Sequence, residues 1–335
     1  MNNIPIIFFK KLNSVGGPTS FQRKFTHWLN RKKINFDYLN KKNFFKKKVI
    51  FINSGTFNLL SLFFLKSFKN KIIQRLDGFY DYSNVGRKTK NLRCLLINFS
   101  MQFIRKHIAD YIIYQSLTSK RLWDKTFGKV TTNYSIIHNP SFDNNYTLKR
   151  KVNSSDNFNI IIVEGNIEDN EFNKIMLNLI HNVAEKNTKI SKIIIFGNIN
   201  NRLKKKLSNK KKFTFKNIVS HKILINFYKN KNKNNIFFGI EYNPCCSNSI
   251  IEASSFGIPT ITLNTGSYKE LIKNSGIQIN FKKIDDKYLF KKFSHSLFKI
   301  INNYENYSER SIKNSKQFKP DIIFNNYINS IRKLL

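Results

Sequence analysis

Short apolar runs alternate along this chain with longer stretches whose apolar residues recur every three to four positions. That is the pattern of a parallel sheet joined by covering helices. In the first half it predicts strands over 6–9, 49–52, 72–76, 111–114 and 134–137, with helices over 57–67, 91–107 and 118–126. Phe21, Phe25 and Leu29, spaced by four, predict the buried face of an earlier helix, and Thr19 with Gln22 has capping-box spacing at its start. A second set follows, with strands over 159–163, 192–196, 236–240 and 260–263 and helices over 171–185, 221–228 and 249–256. Between the two sets the polar stretch 141–157 lacks periodicity and reads as a linker. A final helix is expected over 321–335, and no repeat of fixed period is present.

At 335 residues the chain exceeds one typical small core, so two domains of about 150 residues each are expected. A hydrophobic content of 41% fits a folded globule. Apolar runs such as 57–65 fall short of the roughly 20 residues needed to span a bilayer. The N-terminal residues carry no basic leader before their apolar run and no small-residue cleavage site, so no signal peptide is expected. Three cysteines, two of them adjacent at Cys245 and Cys246, make no disulfide framework and suit a reducing, cytoplasmic setting. The charge is extreme: 59 basic against 20 acidic residues, a net +39. Two readings fit it. AT-rich coding inflates Lys, Asn, Ile and Phe together, and all four are abundant here. Alternatively the basic surface meets anionic lipid, a phosphorylated substrate or nucleic acid, among which charge alone does not choose.

The segment 241–270, EYNPCCSNSIIEASSFGIPTITLNTGSYKE, concentrates the candidate chemistry. It reads as strand end, turn, short helix, glycine stop, buried strand, second turn and second helix start. A helix N-terminus offers unpaired backbone N–H groups and partial positive charge, which favour a phosphate. Glu252 lies one turn past Asn248 and Ser249, so its carboxylate can reach past a phosphate held near Ser249 and accept hydrogen bonds from a ribose diol. Gly257 suits the stop of that helix, and Pro259 opposes its continuation. Between Glu185 and Asp285 the only acids are Glu241, Glu252 and Glu270, which makes a carboxylate here conspicuous, although a structural ion pair also explains one. Ser267 and Glu270 have capping-box spacing, which accounts for both without any ligand.

The same segment resembles the donor-site signature of family 4 glycosyltransferases. The resemblance rests on Asn243-Pro244, Cys246, Asn248-Ser249, Ile251-Glu252-Ala253, Gly257-x-Pro259 and Thr265-Gly266-Ser267-x-x-Glu270. Ser247 departs from it where a proline is usual. So does Pro244, which stands where many members carry the first of two glutamates separated by seven residues; only the second, Glu252, is present. Weaker blocks of the same branch occur in order upstream: Gly16-Gly17-Pro18-x-Ser20-Phe21, Gln74-Arg75-Leu76-Asp77-Gly78, Ala109-Asp110-x-x-x-Tyr114-Gln115-Ser116 and Ile136-Ile137-His138-Asn139. The resemblance implies an α/β fold of the GT-B architecture, with two Rossmann-like domains facing across a cleft and a C-terminal crossover helix. It implies an acceptor-side domain over 1–145, a nucleotide-sugar domain over 155–318, and a helix over 319–335 that packs back on the first domain.

What the resemblance implies for function is transfer of a sugar from a nucleoside-diphosphate-sugar to a hydroxyl of a glycan or lipid-linked acceptor, with retained configuration. Glu252, Asn248, Ser249 and Ile250 would hold the donor. So would Gly266 and Ser267, and the strand-end loops carrying Gly165, Asn166 and Gly197. Gly16 and Gly17, which allow close backbone approach, would lie in the cleft with Gln115 and Asn139. Asp77, at a strand end where open α/β sheets bind ligands, would orient the acceptor hydroxyl or the donor sugar, and Glu270 would stand beside that sugar. For Asp77-Gly78 an ordinary turn is the alternative. Arg202 and Lys204 are the nearest cations for the diphosphate. No cofactor and no metal are expected: Asp-x-Asp is missing, as are HExxH, CxxC, GxSxG and the P-loop pattern, and the six histidines have no ligand spacing. The expected setting is polysaccharide biosynthesis of the cell envelope, in the cytoplasm and peripherally on the inner face of the plasma membrane. A nucleic-acid-binding protein on a Rossmann-like scaffold is the rival reading, supported by the charge but lacking a recognition motif. A third is an inactive relative that binds a nucleotide sugar without transferring it, motivated by Pro244.

Overall fold

The computed structural model describes residues 6–13, 16–45, 47–79, 92–142, 152, 156–230, 234–281 and 285–335. The chain divides into two compact units. One takes the described residues within 1–140 together with Phe318–Leu335, and the other takes those within Ser141–Gln317. Most of the stretch read as a linker, 143–151 and 153–155, lies outside the described residues, as do Ser14, Val15 and Asn91.

The first unit is built on six parallel strands: β1 (Ile6–Phe8), β2 (Phe36–Tyr38), β3 (Val49–Asn53), β4 (Lys71–Leu76), β5 (Tyr111–Tyr114) and β6 (Tyr134–Ile136), in the order β2-β1-β3-β4-β5-β6. Its helices are α1 (Gly17–Arg31), α2 (Leu59–Ser67), α3 (Leu92–Phe103) and α4 (Leu117–Phe127), and α3 runs into a π-type turn, Ile104–Ile108. The second unit has six parallel strands ordered β12-β11-β10-β7-β8-β9. These are β7 (Phe158–Ile167), β8 (Ile190–Ile199), β9 (Phe213–Phe215), β10 (Asn234–Gly239), β11 (Thr260–Leu263) and β12 (Gly276–Ile279). Around them lie α5 (Glu171–Glu185), α6 (Asn201–Ser208), α7 (His221–Lys229), α8 (Asn248–Ser255), α9 (Tyr268–Ile272), α10 (Asp286–Asn302) and α11 (Tyr304–Ser315). Counted from β7, this sheet has the doubly wound Rossmann order, with its reversal between β7 and β10.

Both sheets are buried on both faces, which explains their near-continuous apolar strands. In the second unit Ile160, Ile162, Ile193 and Ile195 face one core, while Ile161, Ile194, Phe196 and Phe237 face another under α7, α8 and α9. Several helices start at a side chain that accepts from one of the first-turn N–H groups otherwise left open: Ser116 from Ser119, Asn170 from Asn173 and Asp285 from Tyr288.

Two expected capping boxes do not form. Gln22 instead fastens the loop after β1, its side-chain oxygen accepting from Leu12 N at 2.7 Å and its nitrogen donating to Lys10 O at 2.8 Å. Pro18 in the first turn of α1 already lacks the N–H that such a cap would serve. At α9, Ser267 gives only its carbonyl, which accepts from Glu270 N at 2.9 Å, and its side chain caps nothing.

The last helix, α12 (Pro320–Arg332), returns to the first unit and completes its core. Phe324 stacks on Phe25 with ring centroids 4.9 Å apart, and Tyr327 reaches Phe21 at 5.0 Å. Asp321 accepts from Trp28 Nε1 at 2.7 Å and pairs with Arg31 and Lys32 at 3.2 Å, which holds its carboxyl below the usual range, the Trp28 hydrogen bond being the main cause. Phe324→Ala should therefore destabilise the first unit by about 3–5 kcal/mol. Both tryptophans, Trp28 and Trp123, lie in that unit, so urea unfolding followed by fluorescence reads it directly. A loss below about 1 kcal/mol, the level of a surface change, would mean that α12 is not part of this core.

Candidate functional site

Ligands of open α/β sheets bind outside the carboxyl ends of the strands, where the strand order reverses. In the second unit that point lies between β7 and β10, and an acid stands on each side of it: Glu164 within β7 and Glu241 just after β10. Burial pushes the Glu164 carboxyl well up, and the neighbouring Glu241 charge adds to the rise. Burial likewise pushes Glu241 up to about 7. Glu241 is nonetheless open to solvent on one side, so water screens part of that effect. One carboxylate oxygen of Glu164 is buried with no hydrogen-bond partner, as are the hydroxyls of Thr265 and Ser267.

Two buried tyrosines tie the neighbouring acids to the same corner. The Tyr228 hydroxyl is pushed up by burial and then by the charges of Glu252 and Glu164. That of Tyr268 is pushed up by burial and then by Glu241 and Glu164. Glu252 itself is 4% exposed, in the second turn of α8. The start of α8 has no side-chain cap: Ser247 Oγ instead lies 3.0 Å from Ser249 Oγ, and the first-turn amides of Asn248, Ser249 and Ile250 keep their donors available. No acid occupies that first turn.

The loops beside this corner are fixed by close backbone approach. Gly266 has φ 56°, and a Cβ there would lie 2.5 Å from Pro244 Cδ and N. Ser267 N donates to Pro244 O at 2.8 Å, so the 264–267 turn is clamped on the 243–244 turn. Gly197 has φ 140°, and its Cβ would fall 1.8 Å from Glu164 O. Only glycine lets β8 pass β7 so closely. The two strands run further than expected, to Ile167 and Ile199, with a register slip between Val163 and Asn166. Gly165, Asn166 and Gly197 are therefore strand residues, with Asn198 Nδ2 donating to Asn166 Oδ1 at 3.1 Å. Arg202 and Lys204 lie on α6, not in a loop, with Lys204 over the Phe215 ring at 5.7 Å.

In the first unit Asp77 ends β4 and accepts from Ser54 Oγ at 2.9 Å. Its carbonyl accepts from Ser119 Oγ at 2.9 Å and from Trp123 Nε1 at 2.8 Å. Burial raises its carboxyl despite the opposing pull of Arg75 and the Ser54 hydrogen bond. Arg75 is 1% exposed and lies 3.8 Å over the Phe21 ring. It donates to Tyr327 OH at 3.1 Å and to Asn139 Oδ1 at 2.6 Å. Gln115 and Asn139, whose amides meet at 2.9 Å, are buried and surround Arg75. Both were expected in the cleft, and both are instead interior partners of Arg75. Gly16, with φ 144°, precedes α1 where β1 ends.

A model of the family described as glycosyl transferases group 1 matches residues 145–318, just over half of the chain and all of the segment that carries Glu241, Glu252 and Glu270. The chain belongs to the group 1 glycosyl transferases. Among curated proteins none matches its sequence. Solved structures match it throughout. Sucrose-phosphate synthase from Thermosynechococcus elongatus is 12% identical with a TM-score of 0.67, covering 99% of each chain. Anabaena HepE in complex with UDP-glucose is 10% identical, TM-score 0.69, covering 98% of this chain and all of that one. A glycosyltransferase from Rickettsia africae is 14% identical, TM-score 0.69, covering all of this chain and 99% of that one. At such identities the likeness concerns the fold, which is GT-B: two Rossmann-like domains.

Within this group 1 transferase the structure gathers Glu252, Asn248, Ser249, Ile250, Gly266 and Ser267 at one end of the second sheet. Glu270, on the first turn of α9, belongs to the same end. The sequence marks Glu241 as one of few acids but gives no sign of its pairing with Glu164; their spacing along the chain carries no signal, because strand order decides it. Below about 4.5, its ordinary value, Glu241 is protonated in folded and unfolded chains alike. Between there and about 7 the folded chain keeps a proton that the unfolded chain has lost. The stability this group contributes is thus full below the first value and is lost as pH rises through the second. Wild-type melting temperature should fall through this window by more than that of Glu241→Gln, which should melt higher than wild type on the alkaline side. Parallel pH profiles would mean that Glu241 titrates normally.

Proposed function

We propose that the chain transfers a sugar from a nucleoside-diphosphate donor to a hydroxyl of a glycan or lipid-linked acceptor, with retention of configuration. The observation that carries this reading is the uncapped start of α8 with Glu252 one turn behind it, inside the segment matched by the family. The diphosphate sits at the Asn248, Ser249 and Ile250 amides, and the ribose diol donates to Glu252. Gly266 and Ser267 approach the diphosphate and sugar, and Gly165, Asn166 and Gly197 the nucleotide. HepE holds UDP and UDP-glucose in its crystals, so uridine diphosphate is the first nucleotide to test here.

In the transfer, the bond from the anomeric carbon to the diphosphate oxygen breaks and the bond to the acceptor oxygen forms on the same face. The acceptor's proton leaves with the diphosphate, so no protein base is invoked. Stabilising charge on that leaving group is the main catalytic contribution. Asp77, in the same unit as Gly16 and Gly17, orients the acceptor hydroxyl, and Glu270 stands beside the donor sugar. Pro244 leaves the family's first glutamate missing. Glu241, just upstream of the 243–244 turn that Gly266 packs against, supplies a carboxylate for the sugar hydroxyls in its stead, which favours an active transferase over an inert relative. The acceptor class suits envelope polysaccharide synthesis at the inner face of the plasma membrane, with an anionic bilayer as the surface.

Two outcomes test this. Glu252→Ala should weaken nucleoside-diphosphate binding by roughly 10- to 150-fold, the equivalent of about 1.5–3 kcal/mol of charge-assisted hydrogen bonds. Titration calorimetry showing wild-type affinity in the variant would remove Glu252 from the donor site. Initial rates of transfer should also survive exhaustive chelation. The described residues hold no group of three or more His, Cys, Asp or Glu able to bind a metal, whereas magnesium wants several oxygen ligands. Loss of transfer on chelation, restored by magnesium or manganese, would contradict this donor site.

A further inference from the structure

Helix α2 carries apolar side chains on its outer as well as its inner face. Leu62 and Leu65 face inward and are fully buried, while Leu60 is 74% exposed and Phe64 62%, with Phe63 also exposed. An apolar face of that kind on a surface helix needs a partner. Helix α3 buries Met101 in the core together with polar Asn98 and Ser100, whereas Leu92, Leu95, Leu96 and Phe99 point to solvent. The two faces are continuous. Phe103 touches Phe63 at 5.8 Å and Phe99 at 5.9 Å between ring centroids, and Ser100 Oγ donates to Thr56 O at the start of α2. On the far side Phe68 meets the exposed Phe45 at 5.3 Å.

The charge around this surface has one sign. The stretches 38–76 and 82–109 contain no acidic residue, while Lys41, Lys42, Lys47, Lys69, Lys71 and Lys106 are exposed beside it. We infer that the α2–α3 face seats the protein on an anionic lipid bilayer, with Leu60, Phe63, Phe64 and Phe99 entering the interface and the lysines meeting the head groups. The charge decides against a second copy of this chain, because two such faces would bring rows of lysine together. No helix among the described residues is long and apolar enough to cross a membrane, so the contact is peripheral. Apolar side chains in the interface and lysines at anionic head groups reinforce each other, and either alone binds weakly.

The inference rests on the bilayer setting of the proposed function and names the face that meets it, and its test uses no substrate. The full chain should float with phosphatidylglycerol-containing vesicles and bind pure phosphatidylcholine vesicles far less, with the binding falling as salt rises. The triple variant Leu60→Ser, Phe63→Ser and Phe64→Ser should partition about 100-fold more weakly, as expected when three interfacial side chains are removed. A separate Phe64→Trp variant should shift its emission to the blue on binding and be quenched by brominated lipid, a readout that stands even if the triple variant folds poorly. Unaltered binding of the triple variant, or no quenching of the introduced indole, would overturn the inference. So would concentration-dependent self-association without vesicle binding, which would assign the face to a second copy. Nucleoside-diphosphate affinity of the triple variant reports the donor site independently.

Discussion

A parallel sheet covered on both faces has nowhere to keep a charged side chain except its strand ends. In the second unit that constraint, with the order reversal between β7 and β10, brings Glu164 and Glu241 together from positions far apart in the chain. Burial raises both carboxyls, and the Glu241 charge raises Glu164 further; Gly197 and Gly266 permit close backbone packing beside them. The uncapped α8 start and Glu252 belong to the same end of the sheet. The corner is thus acidic and unsatisfied on one side and offers free amide donors on another, a combination that suits a ligand with both a diphosphate and several hydroxyls.

The first unit depends on a buried cation instead. Arg75 is held by Tyr327 of the returning helix α12, by Asn139 beyond β6, and by the face of Phe21. An isolated buried guanidinium is expensive, and these partners with the nearby Asp77 carboxyl offset its desolvation. Asp77 is therefore positioned by structure contributed from widely separated parts of the chain. That explains why Gln115 and Asn139 sit in the interior: they order the network that presents Asp77.

Much of the fold was legible because both sheets are buried and their strands read as continuous apolar runs. Strand β5 and helix α5 fall where the pattern predicts them, and β3, β4 and α8 differ only at their ends. The three-residue strands β2 and β9 were not legible, since three residues at a sheet edge carry no period. Capping-box spacing misled at Gln22 and at Ser267, because tertiary partners and a proline took over the groups that the motif would have used. In the site, the α8 cradle was readable from local spacing. The Glu164–Glu241 pair was not, because only strand order makes those residues neighbours.

The basic charge takes on a more definite meaning beside the exposed surfaces. Lys204, Lys205 and Lys206 lie on α6, where Leu203 and Leu207 face the core and the lysines cover the helix toward solvent; coding bias accounts for such residues without any partner. The lysines beside α2 and α3 differ in company, not in number. They border apolar side chains that a water-exposed helix would ordinarily replace, and they do so in stretches free of acids. Coding bias toward Lys and Phe enriches both residue types everywhere, but it does not turn Asn98 and Ser100 inward while Leu95, Leu96 and Phe99 face out. Leaving those large apolar side chains in water forfeits the free energy of burying them. A contiguous apolar face bordered by lysines is therefore a contact surface by its chemistry, not an ordinary solvated helix face.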